Sequence, residues 1–315
     1  MTFTKAFLNS VFLATLSCTD LLSSQLTATD ILRNFNVVVS GNLSTGHDIE
    51  GRTVIGGNLT RGATFNSNPG PGASSEYRAL TVYGNSTATD PIAVNNGGGA
   101  TIVGTTAGLV NLNGGGSSLI NGVGTSAPDP LPDFASAFGD PIAQLSAQLA
   151  AFVPNSTFPS NDEPDWPNNV ALRASSGSGL AIFSITTAQL SQLASLYVDL
   201  NGRDGAIFNV YGTSYNQSLN FQQPVTVAHD ILWNFTEATD LSFSQWGGTI
   251  LAPNALVTTS SALEGGVFAA SFIGNGEVHS RPFRPDIPDA DVPEPASVLL
   301  VGAGVAALAA SRKWR

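Results

Sequence analysis

The sequence predicts an all-β body, a parallel β-helix (β-solenoid) flanked by one or two α-helices, with a C-terminal transmembrane helix appended. Three observations predict it. Short β-prone runs recur along most of the chain, each closed by Gly or Gly-Asn. Only 11% of residues are charged, against roughly 25% in ordinary soluble domains, while Gly numbers 33. A proline-rich segment with one amphipathic helix divides two such β regions. Glycine supplies positive φ, and asparagine tolerates the left-handed region while bonding its own backbone; stacked corners need both. An antiparallel sandwich built from the same short strands is the alternative.

Residues 1–33 read as a leader. Lys5 precedes an apolar stretch, Ala6 to Ser17, interrupted by Asn9 and Ser10: an export-type segment without a clean cleavage site. Cys18 is the single cysteine, which excludes an intrachain disulfide and a thiolate metal cluster. Thr15 stands where a lipoprotein site wants leucine, so Cys18 reads as inert.

The body spans 34–283. In its first part Asn36–Val39 ends at Gly41-Asn42, Thr53–Ile55 at Gly56-Gly57-Asn58, and Leu80–Tyr83 at Gly84-Asn85. Ala100–Val103 ends at Gly104 and Leu109–Leu112 at Gly114. Residues 127–169 form a Pro-rich helical insert. Within it Asp140 is placed to cap a helix with Pro141 at its first position, where a missing N–H costs nothing. Ile142, Leu145, Leu149 and Phe152 share one face, and Pro154 ends the helix. A helix between β segments lies along the flank of the β body and covers part of its apolar surface. A second short helix is expected over Ala188–Leu196, capped by Thr187. Strands resume at Ala206–Val210 and continue to Phe272-Ile273; residues 284–292 are a stiff polar spacer.

Residues 293–315 carry Pro293-Glu294-Pro295, an apolar run Ala296–Ala310, and the basic Arg312, Lys313 and Arg315. As a helix that run would span about 22 Å, against roughly 30 Å of bilayer hydrocarbon. Continuation through Trp314 and snorkelling cations extend the reach. An ordinary tail anchor would also end in cations; the tripeptide directly before the run makes a sorting signal the better reading. The layout resembles the PEP-CTERM signal, which in diderm bacteria is read by an exosortase that removes the membrane helix.

Acidic residues outnumber basic ones 23 to 12, for a net charge of −11, which argues against nucleic acid as a partner. His47, His229 and His279 are widely separated and lack metal-ligand spacing, so no metal and no cofactor is expected. Gly97-Gly98-Gly99 and Gly114-Gly115-Gly116 lack the Lys-Ser/Thr of a phosphate loop. Thr87-Ala88-Thr89 has the spacing of an ice-binding triplet, yet no such triplet recurs at a fixed interval.

Asp48, Glu50 and Arg52 cluster at the first corner, and Ile49-Glu50-Gly51 is echoed by Leu263-Glu264-Gly265 ahead of Val267–Ala269. The echo suggests equivalent corners of one body. Catalysis here would require a second carboxylate across a cleft, and calcium through Asp48 and Glu50 would lack any recognisable loop. The favoured reading is structural: Glu50 pairs with Arg52 or with backbone N–H groups, Glu264 does the same at its corner, and His279 closes the domain beside Pro282-Phe283.

Six segments together resemble the choice-of-anchor A family of surface domains. They are Phe35–Val39, Asp48–Arg52 with Gly56-Gly57-Asn58, Phe183–Thr186 with Phe208–Gly212, Leu232–Ala238, Gly248–Ala255, and Glu264-Gly265 with His279–Phe283. The resemblance covers roughly 34 to 283 and implies an adhesive domain of β-helical fold with no catalytic residues to carry over. Together these readings give an exported, non-enzymatic surface or matrix protein. It would be membrane-associated before processing, then at the cell surface or in the extracellular matrix, with extracellular polysaccharide as a partner. A β-helical polysaccharide-modifying enzyme and an ice-binding protein are the alternatives.

Overall fold

The computed structural model describes residues 26–70, 77–124 and 131–288. Most of the leader, and the sorting segment with Pro293, Glu294, Pro295, Arg312, Lys313 and Arg315, lie outside the described residues. The expected transmembrane helix lies there too. Among the described residues no helix is long and apolar enough to cross a membrane.

The body is mostly β, with a few short helices. Its main sheet runs Leu180–Thr186, Gly205–Tyr211, Ile231–Phe235, Thr249–Thr259, Val267–Gly274, Val37–Val39, Thr53–Ile55, Leu80–Val82, Ala100–Ile102 and Ser118–Ile120, every neighbour parallel. The C-terminal strands therefore come first in the stack. Val37 pairs with Val267 on one side and Thr53 on the other, so the first strand of the body lies in the middle of the sheet with both edges covered. Smaller parallel sheets line other sides, and Ile49 bridges both Phe65 and Val278, linking two of them.

Alternation along these strands decides what each face buries. Val37, Val39, Ile55, Leu80, Val82 and Ile102 point to the interior, where Phe183, Phe208 and Trp233 lie in the C-terminal half. Val38, Val54, Ile207, Leu232, Leu251 and Phe268 point outward, against the helices. Helix α1 (Ala28–Asn34) buries Ile31 and Leu32, and a capping box of Thr27 and Asp30 starts it. It crosses the boundary drawn at residue 34: the end of the supposed leader is packed into the body.

Helix α2 (Asp140–Ala150) buries Ile142, Leu145 and Leu149 on the outer face of the main sheet. The chain reaches one end of the stack at Ser118–Ile120 and restarts at the other end at Leu180, so α2 lies on the return connection. Two sheet asparagines pin it there. Asn234 Nδ2 donates to Ser146 O at 2.9 Å and to Asn209 Oδ1 at 2.8 Å, and Asn209 Nδ2 donates to Leu149 O at 2.6 Å. Asp140 does not cap this helix. A π-helical turn, Ala135–Gly139, runs directly into it, and Asp133 Oδ2 accepts from Ser136 N at the start instead. The second helix is shorter than expected, Thr187–Leu190, because a capping box of Thr186 and Gln189 starts it one residue early and the strand Ser195–Asp199 follows. The spacer is partly docked as well: Pro285 is buried, and Arg33 reaches Asp286 at 2.7 Å.

Candidate binding face and the carboxylate corner

One side of the body presents a row of small polar side chains. Asn216 pairs with Ser242, Ser242 with Thr258, Thr258 with Ile273, and Ile273 with Ser44. Leu43, Leu59 and Ser86 are bridged in succession, so Thr60 and Thr87, the residues that follow, extend the row. At about 4.8 Å per strand the row is roughly 29 Å long. Its members are exposed or half-buried, while Tyr215, Leu241, Val257, Phe272, Leu43 and Leu59 between them are buried. Hydroxyl and amide groups thus stand in register over an apolar backing, with Ile273 the single large apolar side chain among them.

An asparagine ladder borders this row. Asn58 N donates to Asn42 Oδ1 at 2.8 Å, Asn85 N to Asn58 Oδ1 at 2.8 Å, and Thr105 N to Asn85 Oδ1 at 2.9 Å. Each amide oxygen satisfies a corner N–H of the next strand that the sheet itself leaves unpaired. The steps are 16, 27 and 20 residues, which is why no fixed interval is visible in the sequence. Gly41-Asn42, Gly57-Asn58 and Gly84-Asn85 are legible as turns; their alignment is not.

The Glu-Gly corners meet on another side. Glu264 is cross-strand partner to His279, and Glu50 N donates to Val278 O at 3.0 Å. His279 Nδ1 lies 2.5 Å from Glu264 Oε1 and its Nε2 lies 3.0 Å from Glu277 Oε2. Ionised carboxylates only accept, so this geometry suits an imidazolium that donates from both nitrogens. Burial, the largest single influence, favours neutral His279; the hydrogen bonds to Glu264 and Glu277 and the charges of Glu264 and Glu50 outweigh it and hold the pKa above the ordinary value. Glu50 Oε2 accepts from Ser280 N at 2.7 Å and Oε1 from Asn68 Nδ2 at 3.1 Å.

The cation at this corner is Arg281 rather than Arg52. Arg281 Nε lies 3.4 Å from Glu264 Oε2, an ion-pair contact without hydrogen-bond geometry, and Nη1 lies 3.9 Å from Glu50 Oε2. Arg52 turns away, its Nε donating to Tyr77 O at 3.2 Å. Arg52 leads the strand that follows Glu50, whereas the neighbouring C-terminal strand delivers Arg281 between the two glutamates. Asp48 contributes its backbone carbonyl, which accepts from Val278 N at 2.9 Å. Asn36 joins the corners: Gly51 N donates to its Oδ1, and its Nδ2 donates to Gly265 O and His279 O. Asn36 and Arg281 have no role at the site that is visible in the sequence, since each also joins a corner more than 200 residues away, Asn36 to Gly265 and Arg281 to Glu50. Among the described residues no group of three or more His, Cys, Asp or Glu could hold a metal ion.

A family model described as an ice-binding-like adhesive domain matches residues 28–280, and a model of the PEP-CTERM protein-sorting motif matches residues 291–313. Among solved structures, the DUF3494 domain of an ice-binding protein from Shewanella frigidimarina aligns over 84% of this chain and 99% of its own length, at 14% identity and a TM-score of 0.32. No curated protein matches the chain. With the adhesive-domain model matching most of its length, the chain belongs to the ice-binding-like adhesive domain family.

Proposed function

We propose that this is an exported bacterial surface protein that adheres through the row of small polar side chains from Asn216 to Thr87. That row is the observation that carries the reading, supported by the adhesive family and the sorting motif. The body acts as a parallel β-helix of choice-of-anchor A type. An exosortase removes the C-terminal membrane helix, and the mature chain works at the cell surface or in the polysaccharide matrix, binding rather than cleaving. Each contact is weak, so useful attachment depends on many copies. Hydroxyl side chains one strand apart, such as Ser242 beside Thr258 and Thr60 beside Thr87, also favour a second reading, attachment to ice, in line with the family's description.

One experiment tests the surface reading. Beads carrying many copies of the full chain are expected to be retained on surfaces coated with the host's exopolysaccharide, without release of new reducing ends. Thr60→Tyr with Thr87→Tyr, which breaks the even row, should lower retention at least about tenfold. Retention unchanged by the double substitution removes the row from the mechanism. Inhibition of ice recrystallisation that the same pair abolishes, without retention on polysaccharide, favours ice.

A further inference from the structure

The arginines of this acidic chain are not spread evenly. Arg33, Arg52, Arg78, Arg281 and Arg284 all line one cleft of about 850 Å³, in a chain with only 12 Lys and Arg and a net charge of −11. No aspartate or glutamate is among its described lining residues. Among the described residues, the carboxylates that reach Arg33 and Arg281 are not themselves lining residues of the cleft. Asp286, almost fully exposed, meets Arg33 at 2.7 Å, while Glu264 and Glu50 approach Arg281 at 3.4 and 3.9 Å. An exposed pair of the first kind is weak and easily exchanged.

His229 lies at the same cleft. Its pKa is held below the ordinary histidine value by burial first; a hydrogen bond from the ring to Pro282 O opposes this, the charges of Arg284 and Arg281 add to the depression, and that of Asp230 opposes it. Arg33 makes its bonds to Arg284 O, Pro285 O and Asp286 through a single nitrogen, Nη2, and Arg284 reaches His229 Nε2 through Nη2. A guanidinium carries five N–H donors in a fork that matches carboxylate and sulfate oxygens, so both retain capacity for an anion. Clustered like charges inside a concave surface repel one another and focus anions from solution.

We propose that this cleft binds an acidic saccharide segment, its carboxylate or sulfate groups held by Arg33 and Arg284 and its hydroxyls by Asn96 and Ser280. A peptide ligand would need apolar sockets, but the aromatic lining residues Phe35, Tyr77 and Phe283 are only 3%, 5% and 1% exposed. Of the polar lining, Asn36 and Asn66 are buried and engaged within the protein, whereas the exposed Asn96 and half-buried Ser280 are of the kind that meets hydroxyls. The choice of a saccharide rests on the surface reading above; the cleft itself is distinct from the hydroxyl row.

Calorimetric titration of the full chain with tetragalacturonate, its neutral methyl ester, a sulfated tetrasaccharide, tetraglutamate and inorganic phosphate tests it. Tetragalacturonate or the sulfated sugar should bind, and the methyl ester should not. Arg33→Gln and Arg284→Gln should each weaken that binding at least about tenfold, as expected when a charge-assisted fork is lost. Arg173→Gln, which removes a surface pair with Asp199, should leave it unchanged. Binding indifferent to Arg33→Gln and Arg284→Gln overturns the proposal, as does tetraglutamate or phosphate binding as tightly as the sugars. Thr60→Tyr with Thr87→Tyr should preserve tetragalacturonate binding, so failure of the adhesive row and failure of the cleft are separable.

Discussion

The two halves of the body share one parallel sheet but are held by different means. In the N-terminal half the main-sheet strands are three residues long, the interior is Val, Ile, Leu and Ala with Phe65 the one buried aromatic ring among its described residues, and the Asn42–Asn58–Asn85 ladder closes the corners. In the C-terminal half strands reach 11 residues and aromatic rings stack along the interior. Phe183 and Phe208 lie 4.5 Å apart at 14°, and Phe208 and Trp233 lie 4.1 Å apart at 16°. Trp233 also packs against Trp246 and donates from Nε1 to Gly247 O at 2.8 Å. Short strands bury little side chain each, so paired corner amides must supply what packing does not. Longer strands bury enough apolar area to depend on packing itself.

The largest break in this comparison is expected at Trp233. Trp233→Ala removes the ring that joins the Phe183–Phe208 stack to Phe221 and Trp246 and leaves a cavity, a loss of about 3–5 kcal/mol measurable by chemical denaturation. A cost below about 1 kcal/mol would mean that the aromatic column is not what holds the C-terminal half.

The junction between the halves comes next. Glu264→Ala or Glu50→Ala leaves partners such as His279 Nδ1 or Ser280 N without an acceptor and should cost about 1–3 kcal/mol. Asp162→Ala, at an exposed position in the insert, should stay within about 0.5 kcal/mol and serves as the control. If the corner variants match the control, the two halves are not joined through their glutamates.

A smaller effect is expected in the ladder. Asn58→Ala removes the acceptor for Asn85 N at a half-buried position and should cost about 0.5–1.5 kcal/mol. Asn58→Asp keeps an acceptor at that position and should recover most of it, which separates the ladder bond from the turn preference of the residue.

The finest test is pH. Glu264, Glu277 and Glu50 act on His279, with Arg281 beside Glu264 and Glu50, and against the opposing effect of burial they raise its pKa above the ordinary 6.5. A raised folded-state pKa contributes stability in full below the unfolded value and loses it as pH climbs through the folded value. Wild type should therefore lose more stability than His279→Gln between about pH 5.5 and pH 8.5. Parallel profiles for the two proteins would show that the protonated imidazole contributes nothing at the junction.

What the sequence determined by itself is local. The runs Val37–Val39, Thr53–Ile55, Leu80–Val82 and Ala100–Ile102 are strands because β-branched residues meet Gly-Asn corners, and those preferences act within a few residues. The apolar face of α2 was legible from its period, down to Ile142, Leu145 and Leu149. The echo of Ile49-Glu50-Gly51 in Leu263-Glu264-Gly265 pointed to related corners. Only the tertiary structure decided that the strand at Val267 docks on the strand at Val37, because an open sheet edge is satisfied by whichever strand reaches it, at any distance along the chain. That one pairing delivers Arg281 to Glu50 and Glu264 in place of Arg52 and threads Asn36 between the corners. It also aligns Thr258 with Ser44 through Ile273. Unequal loop lengths hide all of these registers from a linear reading, since loop closure costs only slowly more as loops lengthen and so leaves coil length free to vary.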